Sequence, residues 1–348
     1  MIQIDGSIME GGGQLLRMAT SYSAILGKPI TVYNIRAKRR DPGLKPQHLT
    51  TLRTAAEITK AETSGAELGS QEIIFNPAII RGGDFSIDIG TAGSISLLLQ
   101  CINPVLWYAD KSSTLKIKGG TAVNWSPSIP FLQKIVYKAF HSMGVNTSIN
   151  VKRHGFYPKG GGEITQTTQP LEILKPLYPN KSIIKKIKGV SLCGALPEHV
   201  ATRQANSAKK HLNILRPKNT VKPIVAKPTP LSPGSFVVLW CEGSDIYLGA
   251  DSLGARGKPS ELVGKEVALK LITELRTGAQ VDKYTADHLI LPASLADGET
   301  VFRTSEITLH TLTAIKVAET FTDAEFKVSG RQGEPGTIRV KGIGHRRN

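Results

Sequence analysis

At 348 residues, 40% hydrophobic and 21% charged, the chain can bury a core of about two domains, and no apolar run approaches the roughly 18 residues of a membrane span. Its 44 Lys and Arg against 28 Asp and Glu give a net charge of +16 (pI about 9.7), which favours a polyanionic partner through long-range attraction and counterion release. Aromatics at 6% are too few for a long base-stacking platform, and Cys101, Cys193 and Cys241 are too scattered for a disulfide framework or a cysteine-rich zinc site.

The opening Met1-Ile2-Gln3-Ile4-Asp5-Gly6 reads directly as a strand without signal-peptide organisation, so a cytoplasmic location is expected. Strand Ile2–Asp5 leads through Gly11-Gly12-Gly13 to a helix with Leu15, Ala19, Tyr22 and Leu26 on one side and Gly27 as its C′ residue. A second unit runs from a strand at 30–35 through a basic turn to a helix over Pro46–Thr59. Segments 73–75 and 85–89 read as strands, and Gly90-Thr91-Ala92-Gly93-Ser94 opens an apolar helix over 97–106. A strand at 114–117 leads through Gly119-Gly120-Thr121 to a helix starting near Ser126, with Pro127 at N1 and Phe131, Ile135 and Phe140 as its apolar stripe. Strand, glycine turn and helix thus recur as a weak internal repeat.

Around 178–184 the composition turns to Pro, Asn, Ser and Lys, a boundary signal. Beyond it the pattern gives a strand at 189–193, a helix at 198–212, a Pro- and Lys-rich stretch at 216–233, strands at 235–240 and 245–249, and a helix at 260–275 closed by Gly278. Residues 184–278 therefore read as an α/β insert domain, within a main domain formed by 1–183 together with 279–348.

Four stretches carry chemistry. In Glu10-Gly11-Gly12-Gly13-Gln14-Leu15-Leu16-Arg17, three glycines at a helix entry let backbone N–H groups approach a phosphate, with Arg17 one turn inside and Glu10 placed to hold Mg²⁺ or Mn²⁺. The same residues equally make a tight strand–helix turn; no GxxxxGK[ST] loop is present. The run 35–48 concentrates Arg36, Lys38, Arg39 and Arg40 on a loop before Gln47 and His48, a cluster suited to gripping phosphates. The glycine-rich 153–162 reads as a hairpin, with His154 a competing catalytic histidine. The segment 305–313 reads as a helix start in which Ser305 caps and Ile307, Ala314, Ala318 and Phe321 repeat at helical spacing. A neutral His310 in that opening turn suits nucleophilic attack on phosphorus, and equally suits a partly buried, hydrogen-bonded histidine. Asp287, in Tyr284-Thr285-Ala286-Asp287-His288, could orient that imidazole, and Tyr284 could cover a base.

In order and spacing these stretches, with RGGD at 81–84, GTAGS at 90–94, GGT at 119–121 and the segment 286–298, resemble the RNA 3′-terminal phosphate cyclase family over essentially the whole chain. The resemblance implies an α+β chain of α/β-type repeats. Its main domain would hold three βαβαββ-like units related to those of enolpyruvyl transferases, beside a smaller α/β insert. It implies ATP-dependent conversion of an RNA 3′-terminal phosphate to a 2′,3′-cyclic phosphodiester, through a histidine adenylate on His310 and an RNA-pp-A intermediate. By match to the family, Arg17, Arg36, Arg39, Gln47 and His48 would hold ATP phosphates or the RNA end, and Glu10 the metal. Gln100, Pro127, Phe131, Tyr284, Asp287 and His288 would form the nucleotide pocket, with Asp287 also orienting His310.

Ala122, Pro130, His288 and Ala314 depart from the family's usual residues and touch the fine positioning of adenine and RNA. A noncatalytic cyclase-like protein of ribosome biogenesis is the alternative, and the presence of His310 argues against it. An enolpyruvyl transferase would share the units but needs two large similar domains.

Overall fold

The chain repeats one strand–helix pattern three times, the third time with its opening strand reduced. The structure, a computed structural model, describes residues 1–179 and 183–347. In the first repeat β1 (Ile2–Asp5), α1 (Gly13–Leu26), β2 (Ile30–Tyr33), α2 (Pro46–Thr59), β3 (Glu62–Ser64) and β4 (Ile73–Asn76) build a sheet in the order β1-β2-β4-β3. Strands β1 and β2 are parallel, as a helical crossover requires, and the remaining pairs are antiparallel. The second repeat comprises β5 (Asp84–Asp88), α3 (Ile95–Leu106), β6 (Ser113–Gly119), α4 (Ile129–Phe131), a π-helical turn (Leu132–Val136), α5 (Tyr137–Ser142), β7 (Asn146–Arg153) and β8 (Gly162–Gln169). Its order, β5-β6-β8-β7, is the same.

A separate sheet follows, built from β9 (Lys186–Gly194), β10 (Lys218–Val225), β11 (Gly234–Glu242) and β12 (Gly249–Leu253) in the order β10-β9-β11-β12, with α6 (His199–Leu212) and α7 (Ser260–Arg276) on one face. The third repeat then runs through α8 (Lys283–Leu295), β13 (Glu299–Thr304), α9 (Leu309–Phe321), β14 (Glu325–Ser329) and β15 (Gly336–Lys341), in the order β13-β15-β14. Its first strand is reduced to Val281, bridged in parallel both to Thr304 and to Tyr247. The expected βαβαββ units are therefore present, the third with a vestigial opening strand.

Strand β11 shows why its sequence is apolar throughout. Phe236 and Val238 face the core shared with the three repeats, while Val237, Leu239 and Cys241 face α6 and α7. A strand with both faces buried loses the polar half of its alternation.

Several boundaries differ from the sequence reading. The helix expected near Ser126 starts at Ile129, because the Ser128 hydroxyl accepts from Phe131 N (3.4 Å) and caps it. Pro127 stays outside, its carbonyl accepting from Ser96 Oγ at 2.7 Å, and Pro130 takes the first turn. The stretch 216–233 contains β10, an edge strand that tolerates Pro223 and exposed lysines, features that read as linker. The strand expected at 245–249 lies at Gly249–Leu253. The boundary signal at 178–184 falls partly on 180–182, outside the described residues. No described helix is long and apolar enough to cross a membrane.

Candidate active site

Helices α1, α2 and α9 open onto one site, so unsatisfied N–H groups and the positive ends of three helix dipoles gather there. The clamp that sets α1 against α9 sits at their far ends. Tyr22 stacks on Phe321 (5.3 Å, 14°) and its hydroxyl meets Ser294 Oγ at 2.7 Å, tying α1 to both α9 and α8. Such a stack contributes about 0.5–1.5 kcal/mol beyond its buried area.

At the open end Gln14 touches His310 twice. Its Nε2 donates to the His310 carbonyl at 3.2 Å, and its Oε1 lies 2.6 Å from His310 Nδ1. The carbonyl can only accept, which fixes the amide's orientation; Oε1 can then only accept, so Nδ1 carries the proton and Nε2 keeps its lone pair. Burial first, and then Arg17 and Arg39, hold the His310 pKa below its usual value, which keeps the ring neutral at pH 7. A neutral, oriented imidazole with one free nitrogen is a nucleophile.

Asp287 is not hydrogen-bonded to His310, the direct contact that the sequence reading expects. Its Oδ1 accepts from Thr308 Oγ1 at 3.0 Å and from Thr311 Oγ1 at 2.5 Å. Thr308, rather than Ser305, caps α9 by accepting from Thr311 N at 2.9 Å. Asp287 thus steadies the cap that presents His310, one step removed from the ring. Desolvation pushes its pKa up to about 7, against the two hydroxyl hydrogen bonds.

The glycines of the first loop are there for close approach. A Cβ on Gly12 would strike the Glu10 carboxylate, and one on Gly13 would strike His48 Nε2, with Arg17 Nη1 2.9 Å away. His48 Nδ1 accepts from Lys45 N at 3.2 Å, so Nε2 carries the proton and points at the loop. Burial, then Arg17, Arg36 and Lys45, push the His48 pKa down to about 3, making the ring a neutral donor. Gln47 Oε1 accepts from Ser94 N at 2.7 Å and joins α2 to the start of α3.

Arg17 is only 7% exposed, and burial lowers its pKa to about 10. Its hydrogen-bond partner among the described side chains is neutral: Gln100 Oε1, which accepts from Arg17 Nε at 2.9 Å. A buried cation without a carboxylate is costly unless an anion arrives. Two other arginines are occupied. Arg36 donates to the Asp41 and Gly43 carbonyls (2.7 and 2.8 Å) and closes the basic loop, whereas Arg39 forms an ion pair with Glu10.

The residues read as the nucleotide pocket fall into two groups. Phe131 and the exposed Tyr284 meet edge to face with centroids 6.3 Å apart, so the two rings touch rather than frame a slot; Pro127 lies just before the cap of α4. Gln100, Asp287 and His288 instead line a small inner cavity of about 20 Å³, room for roughly one water. Burial and then Arg17 lower the His288 pKa to about 4, so it too is neutral. His154, the rival histidine, is packed beside Phe156 and Phe236 with Nδ1 3.2 Å from Thr121 Oγ1, a structural position. Of the departures, Ala122, His288 and Ala314 are buried and Pro130 half-buried.

Gln14, Thr308 and Thr311 are the residues sequence reasoning missed. Gln14 follows the three glycines, but nothing local marks a contact with a residue 296 positions away.

A neutral nucleophilic imidazole beside a buried arginine, at the meeting of helix N-termini, defines a site for chemistry on phosphate groups. The model of the RNA 3′-terminal phosphate cyclase family matches residues 8–328. The chain is 45% identical to an RNA 3′-terminal phosphate cyclase of Desulfurococcus amylolyticus and 43% identical to one of Pyrobaculum aerophilum, each over 99% of both chains. It is 41% identical to the one from Pyrococcus furiosus over 98% of both. The solved enolpyruvyl transferase NikO from Streptomyces tendae aligns with 48% of this chain and 31% of its own, at 14% identity and a TM-score of 0.27, too low to carry an argument. The chain belongs to the RNA 3′-terminal phosphate cyclase family, whose members are ligase-type enzymes.

Proposed function

We propose that this protein converts an RNA 3′-terminal phosphate to a 2′,3′-cyclic phosphodiester in the cytoplasm, using ATP. The observation that carries the reading is the Gln14–His310 pair, which leaves Nε2 unprotonated beside the cationic side chain of Arg17. His310 Nε2 attacks the α-phosphorus of ATP; an N–P bond forms, the α–β bridging P–O bond breaks, and pyrophosphate leaves. An oxygen of the RNA 3′-phosphate then attacks the adenylate phosphorus, breaking the N–P bond and giving RNA-pp-A. The ribose 2′-OH attacks the 3′-phosphorus and loses its proton, and AMP departs. That last step gains from proximity, since the 2′-OH is adjacent.

Arg17 and the Nε2–H of His48 are the donors for phosphate oxygens, with Arg39 added once it leaves Glu10. Arg36 and Gln47 act by holding the loop and the start of α3. Pro127, Phe131 and Tyr284 adjoin adenine, and Gln100 and His288 support Arg17 and α8 from below. Residues 1–183 with 279–348 form the catalytic domain and 184–278 its insert.

The metal requirement fits the site narrowly. No group of three or more His, Cys, Asp or Glu that could hold a metal occurs among the described residues, so Glu10 offers a single carboxylate. Mg²⁺ commonly takes one or two carboxylates and completes its shell with substrate phosphates and water. Held there, Mg²⁺ or Mn²⁺ would neutralise triphosphate charge.

The test is incubation with ATP radiolabelled at the α-phosphorus and Mg²⁺ or Mn²⁺, followed by a denaturing gel. The wild type should carry an acid-labile, alkali-stable label, and folded His310→Ala should carry none. Label retained in that variant overturns the reading.

A further inference from the structure

A groove where the insert sheet meets the second repeat takes no part in the chemistry above. Gln133, Lys134 and Lys138 form one wall and Lys185, Lys186 and Trp240 the other, enclosing about 560 Å³. The junction is fixed, because Lys138 Nζ donates to the carbonyls of Gly243 and Ile246, both at 2.8 Å. Lys134, Lys185 and Lys186 are exposed, and none pairs with an acidic side chain among the described residues. The carboxylate lining the groove, Glu242, is already held by Lys188 at 2.9 Å. Trp240 is half-buried, with Lys134 Nζ 5.8 Å from its ring centroid.

The groove runs beside the helical segment that also carries Phe131 of the proposed nucleotide pocket. Phe131, Lys134 and Lys138 lie on one helical segment, so at 1.5 Å per residue the two lysines stand roughly 5 and 10 Å along it from Phe131. Unpaired cations around one flat aromatic are the parts of a single-strand nucleic-acid groove, the cations tracking phosphates and the ring stacking a base.

We propose that this groove binds the single-stranded body of the RNA a few nucleotides before its 3′ end, the lysines meeting phosphates and Trp240 stacking one base. The proposal rests on the reading that the site acts on an RNA 3′ end. An acidic peptide is the competing occupant, which a stacking aromatic does not call for.

The test compares a 3′-phosphorylated RNA of about ten nucleotides, within the usual site size of such grooves, with a 3′-phosphorylated dinucleotide. For the long RNA, Trp240→Ala should weaken binding by about 5-fold to 150-fold. Lys134→Gln with Lys186→Gln should lower the salt slope of binding by about 1.4, from about 0.7 per lost phosphate contact. All variants should keep wild-type self-adenylylation and dinucleotide cyclisation, which also shows that they are folded; Trp240→Phe should restore much of the binding. Unchanged affinity and slope, equal loss on the dinucleotide, or polyglutamate binding that these variants lose while RNA binding persists would overturn the groove. If the protein binds long RNA through these residues yet never adenylylates itself, the cyclase reading fails and the groove stands. If it cyclises both substrates with variants equal to wild type, the groove fails alone.

Discussion

Replacing Gln14 by Glu puts a carboxylate where a neutral amide now meets His310 Nδ1 at 2.6 Å. The ring is at present kept neutral by burial, Arg17 and Arg39. At an effective dielectric of about 20, unit charges 4 Å apart interact by about 4 kcal/mol, equivalent to about three pH units. The opposing arginines and the open face of the ring reduce this to about one to two units, within the usual range for an adjacent opposite charge. The sign is definite: the carboxylate favours imidazolium, which has no lone pair to attack phosphorus. Self-adenylylation of Gln14→Glu, measured as label incorporation from pH 5 to pH 9, should therefore rise with pH along a curve displaced upward by about one to two units. Below that curve it should fall about tenfold per pH unit. Gln14→Met, which removes the acceptor without adding charge, should lower the rate by about two- to tenfold at every pH, as about 0.5–1.5 kcal/mol for one hydrogen bond to a ring open to solvent implies, with no displacement. Coincident curves for wild type and Gln14→Glu would refute the claim that this contact sets the nucleophile's state.

Arg17→Met should raise the melting temperature of the ligand-free protein, because an uncompensated buried cation disappears, while abolishing the stabilisation by ATP that scanning calorimetry reads for the wild type. Asp287→Asn should become increasingly more stable than wild type as pH rises from about 4 to about 7, and then level off. The folded carboxyl titrates near 7 against 3.8 as the ordinary value, so the wild type loses stability across that window; denaturant midpoints at each pH check it. Glu10→Ala should raise the metal concentration for half-maximal adenylylation by about tenfold, one charge-assisted contact, in a metal titration.

Short-range chemistry was well legible in the sequence. Glycine spacing and apolar periodicity located α1 and the body of α9, whose start lies three residues beyond the Ser305 cap expected, and the run 35–48 placed Gln47 and His48 at the start of α2 as the structure has them. What failed was pairing across long separations. The sequence suggests Asp287 as the partner of His310 because carboxylates commonly orient imidazoles, yet Gln14 occupies Nδ1 and Asp287 serves two threonines. The family match groups Tyr284 with Phe131 without saying how the rings meet; the path of α8 brings them edge to face. Strand β10 was disguised because an edge position relaxes the composition that marks a central strand.

The two-faced burial of the insert sheet governs how the molecule melts. Leu192, Phe236, Val238 and Tyr247 belong to the same apolar cluster as Trp107, Phe131 and Phe321, so heat cannot loosen one layer without uncovering the other. The chain should unfold in one cooperative heat-capacity peak, and excising 184–278 would leave an apolar wall that aggregates instead of a smaller working enzyme.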